Sequence, residues 1–398
     1  MDSIVLYTEE IDDIREAVAE LLVQTWEFPL KKHSLALVFA EEETDFPELC
    51  SILAEHWDFP IVGCTAMGML GAKGYYGIGI FILLMTADDC FFAAGMAQEL
   101  DQDNYKTKIS QTYNSLAASL PSRPKLILSY GGMFPTEQHV SGDDVVDAIS
   151  EAAGKNIPIF GGLAADGFNF NGFRIFCNGE TVQTGQLMIL IAGAIDPKFV
   201  TINSVENRAD FSYEVTKSSH NQVTRLGNGT FLEALKREDM AVDKTDVLGD
   251  YLLSPFVLTI NLENGDSVEV ARNLATLDQK NGSGTFLGAV PEGSILGVGL
   301  IGRTDVQKSV RQAFDVILDE VAASKGKYKT LLCHSCCARF LALASDTREE
   351  TDAYSGRLPD GMAFLGMYAY GEYCPVKGNK TGESYNLFHN FTFTIMAV

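Results

Sequence analysis

Three polar clusters in the C-terminal part of the chain hold the residue types best suited to chemistry. Ser335-Cys336-Cys337-Ala338-Arg339 follows an apolar, strand-like run, and its backbone N–H groups would open a helix, where anions are favoured. Tyr370-Gly371-Glu372 follows a second such run, and Phe388-His389-Asn390-Phe391-Thr392 interrupts an otherwise apolar final strand. Neighbouring strands could bring all three to one rim. Glu372 and Arg339 carry the charges to grip the amino and carboxylate groups of a zwitterion, because a bidentate arginine suits a carboxylate. The alternative is that they pair with one another or with buried backbone groups. His389 is either a ligand contact or a hydrogen-bond bridge to neighbouring carbonyls. A cysteine of this group with His389 would make a nucleophile and base, but no orienting carboxylate or oxyanion arrangement can be assigned. Zinc wants four ligands at separated spacings; Cys333, Cys336, Cys337 and His334 lack a second Cys-x-x-Cys, so no metal site is expected.

These clusters end a segment that the chain writes three times. Ile61-Val62-Gly63-Cys64-Thr65-Ala66, Ile159-Phe160-Gly161-Gly162-Leu163-Ala164 and Phe364-Leu365-Gly366-Met367-Tyr368-Ala369 are apolar runs that break at a glycine, with an alanine three residues on. That is the pattern of a buried strand ending in a tight turn. The carboxyl ends of such strands are where layered α/β sheets bind ligands. Only the third copy places Tyr370 and Glu372 after its turn; the first two offer glycine and alanine, Asp166 excepted.

Each copy predicts helix, strand, helix, glycine strand, then further strands. The helices fall at about 11–26 and 47–56 in the first copy, 105–120 and 143–153 in the second, and 305–323 and 339–353 in the third. Segments 78–85 and 90–94 read as a hairpin, 173–177 is expected to pair with 187–192, and 385–398 reads as one closing strand. Phe168, Phe170, Phe173 and Phe176 read as hairpin core. Between copies two and three lies a β-rich insertion punctuated by Asn264-Gly265, Asn281-Gly282 and Glu292-Gly293 turns. The expected class is α/β with mixed sheets built from a duplicated helix-strand-helix-strand-hairpin unit, in two domains cut near residue 210: 1–210 and 211–398. Residues 1–210 are expected to fold alone as a scaffold, with ligand bound in the second half.

At 398 residues, 46% hydrophobic and 21% charged, the chain is globular and long enough for two or three cores. Its net charge of −23 repels phosphate backbones and anionic headgroups, which argues against nucleic-acid and membrane partners. No secretory leader is apparent, and Leu187 to Ile195 is about half the roughly 20 residues a bilayer span needs, so a cytoplasmic protein is expected. Eight cysteines, mostly within apolar runs, read as buried thiols.

Tyr370-Gly371-Glu372 followed by His389-Asn390-x-Thr392 resembles the end of the FIST (F-box and intracellular signal transduction) family. Ser335-Cys336-Cys337-Ala338-Arg339 is similar to that family's Ser-Cys-x-Gly-Arg step, with Ala338 in place of the glycine. Asp266 to Arg272 and Val290-Pro291-Glu292-Gly293-Ser294 are similar to its middle segments, and Gly63-Cys64 and Gly161-Gly162 fit its N-terminal half. The resemblance spans nearly the whole chain. It implies FIST N-terminal and C-terminal domains forming an intracellular sensor of a small polar, amino-acid-like metabolite. It also implies coupling to a kinase, cyclase or chemoreceptor, here a separate protein. Through it, Arg272, Cys336, Arg339, Tyr370, Gly371, Glu372, His389 and Asn390 become the expected ligand-binding set. The alternatives are a thiol-dependent enzyme acting on a small amino or amide substrate, and, since some relatives bind haem, a haem-based gas sensor. No cofactor is expected, because His334 and His389, the two buried candidates for an axial ligand, have neighbours that explain them without iron.

Overall fold

The computed structural model describes residues 1–398 except 136, 137, 206, 263 and 345, and excepting also the side chains of 207–209. The first unit runs β1 (Asp2–Thr8), α1 (Ile14–Val23), β2 (His33–Ala40), α2 (Phe46–Leu53), β3 (Ile61–Thr65), β4 (Met69–Gly71), β5 (Gly74–Tyr76) and β6 (Ile80–Ala87). The second repeats it as β7 (Cys90–Gln98), α3 (Tyr105–Ser119), β8 (Leu126–Gly131), α4 (Gly142–Ala153), β9 (Ile159–Leu163), β10 (Ile175–Cys177), β11 (Glu180–Val182) and β12 (Gly185–Gly193). The third opens with β13 (Lys198–Asn203) and is then interrupted by the insertion. The insertion comprises β14 (Asn207–Ser219), β15 (Gln222–Leu226), β16 (Gly229–Thr230), α5 (Phe231–Arg237), β17 (Phe256–Asn261), β18 (Ser267–Arg272), β19 (Leu274–Asp278), β20 (Ser283–Phe286) and β21 (Ile295–Leu300). The third unit resumes with α6 (Arg303–Ala323), β22 (Thr330–Cys336), α7 (Cys337–Ala342), α8 (Arg348–Thr351), β23 (Ala363–Ala369), β24 (Glu372–Lys377), β25 (Ser384–His389) and β26 (Thr392–Ala397).

Local chemistry sets the ends of these elements. The Asp13 carboxylate accepts the first free N–H groups of α1, and the Asp144 carboxylate accepts both the N–H and the hydroxyl of Ser141 at the start of α4. Along β2, Ala36, Val38 and Ala40 face the helices, while Leu35, Leu37 and Phe39 face the shared centre of the molecule. Both faces are therefore buried, which is why the sequence reads as a continuous apolar run.

Each unit forms a sheet in the same order: first strand, last strand, second, third. Each sheet is then completed by a hairpin from another unit. β10–β11 of the second unit joins β3 of the first, β24–β25 of the third joins β9 of the second, and β4–β5 of the first joins β23 of the third. The exchange is cyclic. The three glycines occupy equivalent places, with Gly63 opposite Val38, Gly161 opposite Ser129 and Gly366 opposite Cys333 in parallel ladders. One residue further along the partner strands, Phe39, Tyr130 and His334 meet at the centre. Their ring centroids are 5.3, 5.6 and 6.2 Å apart, and the Tyr130 hydroxyl lies 3.2 Å from His334 Nε2.

The expected α/β class with mixed sheets is observed, whereas several expected pairings are not. β6 and β7 belong to different sheets and form no hairpin; β10 pairs with β11 and β3, not with β12; and the closing stretch is two strands in two sheets. The third unit's second helix is the pair α7 and α8, with residue 345 outside the described residues. Residue 210 falls inside β14. The insertion forms its own sheet and core, where Phe256 packs on Phe231 and Phe286 at 5.9 and 5.3 Å. Among the described residues, no helix is long and apolar enough to cross a membrane.

Candidate functional site

A cavity of about 340 Å³ lies where the insertion closes over the carboxyl ends of β8, β9, β22 and β23. The third unit contributes Cys336 from the end of β22 and Cys337, Ala338 and Leu341 from α7, with Tyr370, Asn390 and Phe391 from the turns after β23 and β25. The second unit contributes Met133, Phe168 and Phe170. The insertion contributes Leu248, Leu252, Asn273 and Leu287. The volume is at the small end of the range for ligand cavities, roughly 300–1,000 Å³. A second cleft of about 480 Å³ shares Met133, Phe170, Leu248 and Leu287 with it.

The walls are overwhelmingly apolar, and among the described residues no Lys, Arg, His, Asp or Glu lines them. Two carboxamides break the apolar surface. Asn273 and Asn390 are 4% and 2% exposed, and the Oδ1 of each is buried without a hydrogen-bond partner. Both oxygens are occluded from the cavity space, so these side chains contribute to its wall through their other atoms.

One wall is a loop organised by Asp166. Its carboxylate accepts the backbone N–H groups of Asn169, Phe170, Asn171 and Gly172 at 2.7–3.1 Å, and the Tyr370 hydroxyl as well. Burial raises this carboxyl, but the Tyr370 hydroxyl and the backbone donors outweigh it and hold Asp166 below the usual value. The loop keeps Phe168 and Phe170 at φ of 67° and 56°, a left-handed conformation that aromatic residues rarely adopt. Phe170 stacks on Tyr370 at 4.6 Å.

Of the expected ligand-binding set, Cys336, Tyr370 and Asn390 line the cavity. Gly371 adjoins it; a Cβ there would sit 2.3 Å from the Phe388 ring, so close packing accounts for the glycine. Glu372 is fully buried one step behind, its Oε2 accepting the Thr392 hydroxyl at 2.6 Å and its Oε1 unpartnered. Burial pushes its carboxyl up to about 8, against the Thr392 hydroxyl and the Arg339 charge, so the side chain is largely neutral at pH 7.

The two arginines correct the expected grip on a zwitterion. Arg339 is committed to Ser335, Ser204, Ser309 and, at 3.0 Å, Glu350 rather than Glu372. Arg272 pairs with Asp143 at 2.7 Å and donates to the carbonyls of Ala289, Ala271 and Phe388. Both are fully buried, and neither lines the cavity. A buried guanidinium needs all of its partners, and these have them within the protein.

His389 is likewise turned away, with Nε2 3.0 Å from the Cys374 carbonyl oxygen, and burial lowers it to about 4. It cannot serve as the base beside a cavity thiol. Burial also raises the Cys336 and Cys337 thiols well above the usual value, the opposite of what an activated nucleophile requires. Neither His389 nor His334 reaches the cavity wall, so neither fits an axial role for haem there. Among the described residues, no group of three or more His, Cys, Asp or Glu is arranged to hold a metal.

Sequence reasoning missed Asn273, Met133 and the leucines of the insertion, singled out Cys337 without placing it in the ligand-binding set, and assigned Phe168 and Phe170 to a hairpin core. Asn273 directly follows the Asp266–Arg272 segment, and a polar residue closing an alternating strand was the available signal.

Comparison with known proteins adds two findings. Residues 34–228 match the FIST N domain, and residues 232–375 match the FIST C domain. A solved structure described as "Cyanuric acid hydrolase: evolutionary innovation by structural concatenation" aligns over 100% of this chain and 99% of that chain, with 8% identity and a TM-score of 0.34. A likeness that remote carries no conclusion about chemistry. The search of curated proteins gave no match.

Proposed function

The chain belongs to the FIST family, and from that premise we propose that it senses a small metabolite bound in the cavity between the insertion and the repeat units. FIST domains are associated with small-ligand sensing in signal transduction. The observation that carries the assignment is the apolar cavity itself, which lies at the strands' carboxyl ends and is walled jointly by the insertion and two repeat units. Cys336, Tyr370 and Asn390 touch the ligand. Glu372 and Gly371 support the wall behind it, and Arg272 and Arg339 hold the frame.

An amino-acid-like metabolite fits by size, with its apolar part against Phe168, Phe170 and Leu252. Output passes to a signalling partner such as a kinase, cyclase or chemoreceptor. Occupancy reaches that partner through the seam, because the lining residues come from the insertion and from two repeat units that share hydrogen-bonded ladders.

Hydrogen exchange on the full chain, with a metabolite that raises its melting temperature, tests the location. Slowed exchange is expected at 166–172, 248–252 and 336–341. Protection confined to surfaces away from these three segments would contradict the assignment.

A further inference from the structure

We propose that the ligand is an amphiphile held end-on: its apolar body fills the inner cavity, and its polar end, neutral or cationic, lies in the adjoining cleft. This rests on the cavity being the ligand site and adds the chemical class and the orientation it takes.

The inner cavity offers next to no polar surface. The carboxamide oxygens of Asn273 and Asn390 are occluded, and the Tyr370 hydroxyl is committed to the Asp166 carboxylate and the Phe168 N–H. Cys336 and Cys337 bring thiols, which are weak donors and stay protonated because burial raises them. A hydroxyl, an amide or a charge driven into this space would lose its water and find little to replace it. A hydrocarbon body instead gains by leaving water.

The cleft of about 480 Å³ is the opposite case. Phe170 and Leu248 stand on its boundary with the cavity, and beyond them its lining includes Asn171, Gln183, Thr184 and Asp246. One elongated molecule can therefore keep its polar end wet while its body is dry. Among the described residues, Asp246 is the only Asp, Glu, Lys, Arg or His that lines either compartment, and the chain as a whole carries a net charge of −23. An anionic end meets repulsion there and no cation, whereas an ammonium is attracted. A free amino acid fits only with its side chain inward and its charged end in the cleft.

Displacement of the neutral fluorophore N-phenyl-1-naphthylamine from the full chain, at pH 7 and low salt, tests the class. The competitors are n-hexanol, n-octanol, the octanediol with a hydroxyl at each end, n-octylamine and octanoate. Each added methylene is expected to tighten binding about fourfold, so n-octanol should exceed n-hexanol by roughly tenfold or more. The diol must bury a second hydroxyl and should bind about tenfold more weakly than n-octanol. Octylamine should bind at least about fivefold more tightly than octanoate, and Asp246→Asn, an exposed change, should narrow that gap. No uptake of the fluorophore, no gain along the alcohols, a diol equal to n-octanol, octanoate as tight as octylamine, or a gap unmoved by Asp246→Asn would overturn the proposal. Ala338→Phe, which fills the cavity, separates the two levels, and Leu252→Trp repeats it from the insertion side if that variant does not fold. The wrong order in the parent, with binding lost in the filled variant, sinks the class and leaves the site standing. Binding that survives in a folded filled variant sinks the site.

Discussion

Tyr370 and Asp166 come from different copies of the repeat, and the Tyr370 hydroxyl donates to the Asp166 carboxylate beneath the cavity. The same hydroxyl accepts the Phe168 N–H at 3.0 Å, so one contact fixes both the loop and the turn that flank the ligand. Tyr370→Phe removes that donor but leaves Asp166 its four backbone N–H groups, and is expected to cost about 1–3 kcal/mol. Asp166→Ala strips five donors of their acceptor and releases Phe168 and Phe170 from a disfavoured backbone conformation; it should cost at least about 3 kcal/mol. Denaturant midpoints give both numbers. An Asp166→Ala protein within about 1 kcal/mol of the parent would show that the carboxylate does not hold the loop.

Glu372 makes stability fall as pH rises. Its folded value of about 8 lies above the ordinary glutamate value of 4.5, so between these the native state holds a proton that the unfolded state has lost. Its contribution is complete below about pH 4.5 and disappears as pH passes 8, with a slope of up to about 1.4 kcal/mol per pH unit. His389 and His334, lowered to about 4 and 3 by burial, act in the opposite direction and only below about pH 6.5. The histidines therefore drop out between pH 7 and 8, and the difference between parent and Glu372→Gln in that window isolates Glu372 from Asp147, which burial pushes up to about 6. Glu372→Gln, a neutral mimic of the protonated side chain, should flatten the stability profile there by close to one proton. Parallel profiles for parent and variant would place the Glu372 carboxyl near its ordinary value.

The equivalent glycines differ in what they pack against. A Cβ on Gly63 or Gly161 would lie 1.9 Å from a backbone oxygen, of Val38 or Ser129, whereas one on Gly366 would lie 2.2 Å from Cys333 Sγ. Alanine at 63 or 161 should therefore cost several kcal/mol with no remedy from a side chain, at or above the roughly 1–3 kcal/mol typical of overpacking. Gly366→Ala should be partly rescued by Cys333→Ala, with a coupling energy of about 1 kcal/mol or more in a double-mutant cycle. Strict additivity at 366 and 333 would contradict the packing described.

The glycine strands were legible because their signal is local: an apolar run, a glycine where the partner strand leaves no room, and an alanine three residues on. The hairpins after them were legible as hairpins but not as to destination. Nothing within Met69–Tyr76 states that it completes the third unit's sheet, because edge-to-edge pairing is decided by which edges remain open once all three units are assembled. The arginines show the same limit for charge. Arg339 announces that a buried cation needs partners, but not that Ser204, Ser309 and Glu350 will supply them. The insertion's half of the cavity, Leu248, Leu252 and Asn273, was hidden because it faces the repeat units only after folding.

The hairpin exchange argues against residues 1–210 folding alone. In that fragment β4–β5 lacks β23, and β9 lacks β24. Expressed alone it should show no cooperative unfolding transition, and co-expression with residues 211–398 should restore one. A cooperative, monomeric transition from the fragment alone would contradict this.

The most direct measurement is calorimetry of a metabolite that binds the parent, repeated with Ala338→Phe. Ala338 is a small, nearly buried residue on the cavity wall, so a phenyl ring there occupies the ligand's space. With the ligand in this cavity, the variant folds cooperatively and its affinity drops by a factor of about 100 or more, or roughly 2.7 kcal/mol. Unchanged affinity in the folded variant would place the ligand elsewhere and remove the cavity from the account.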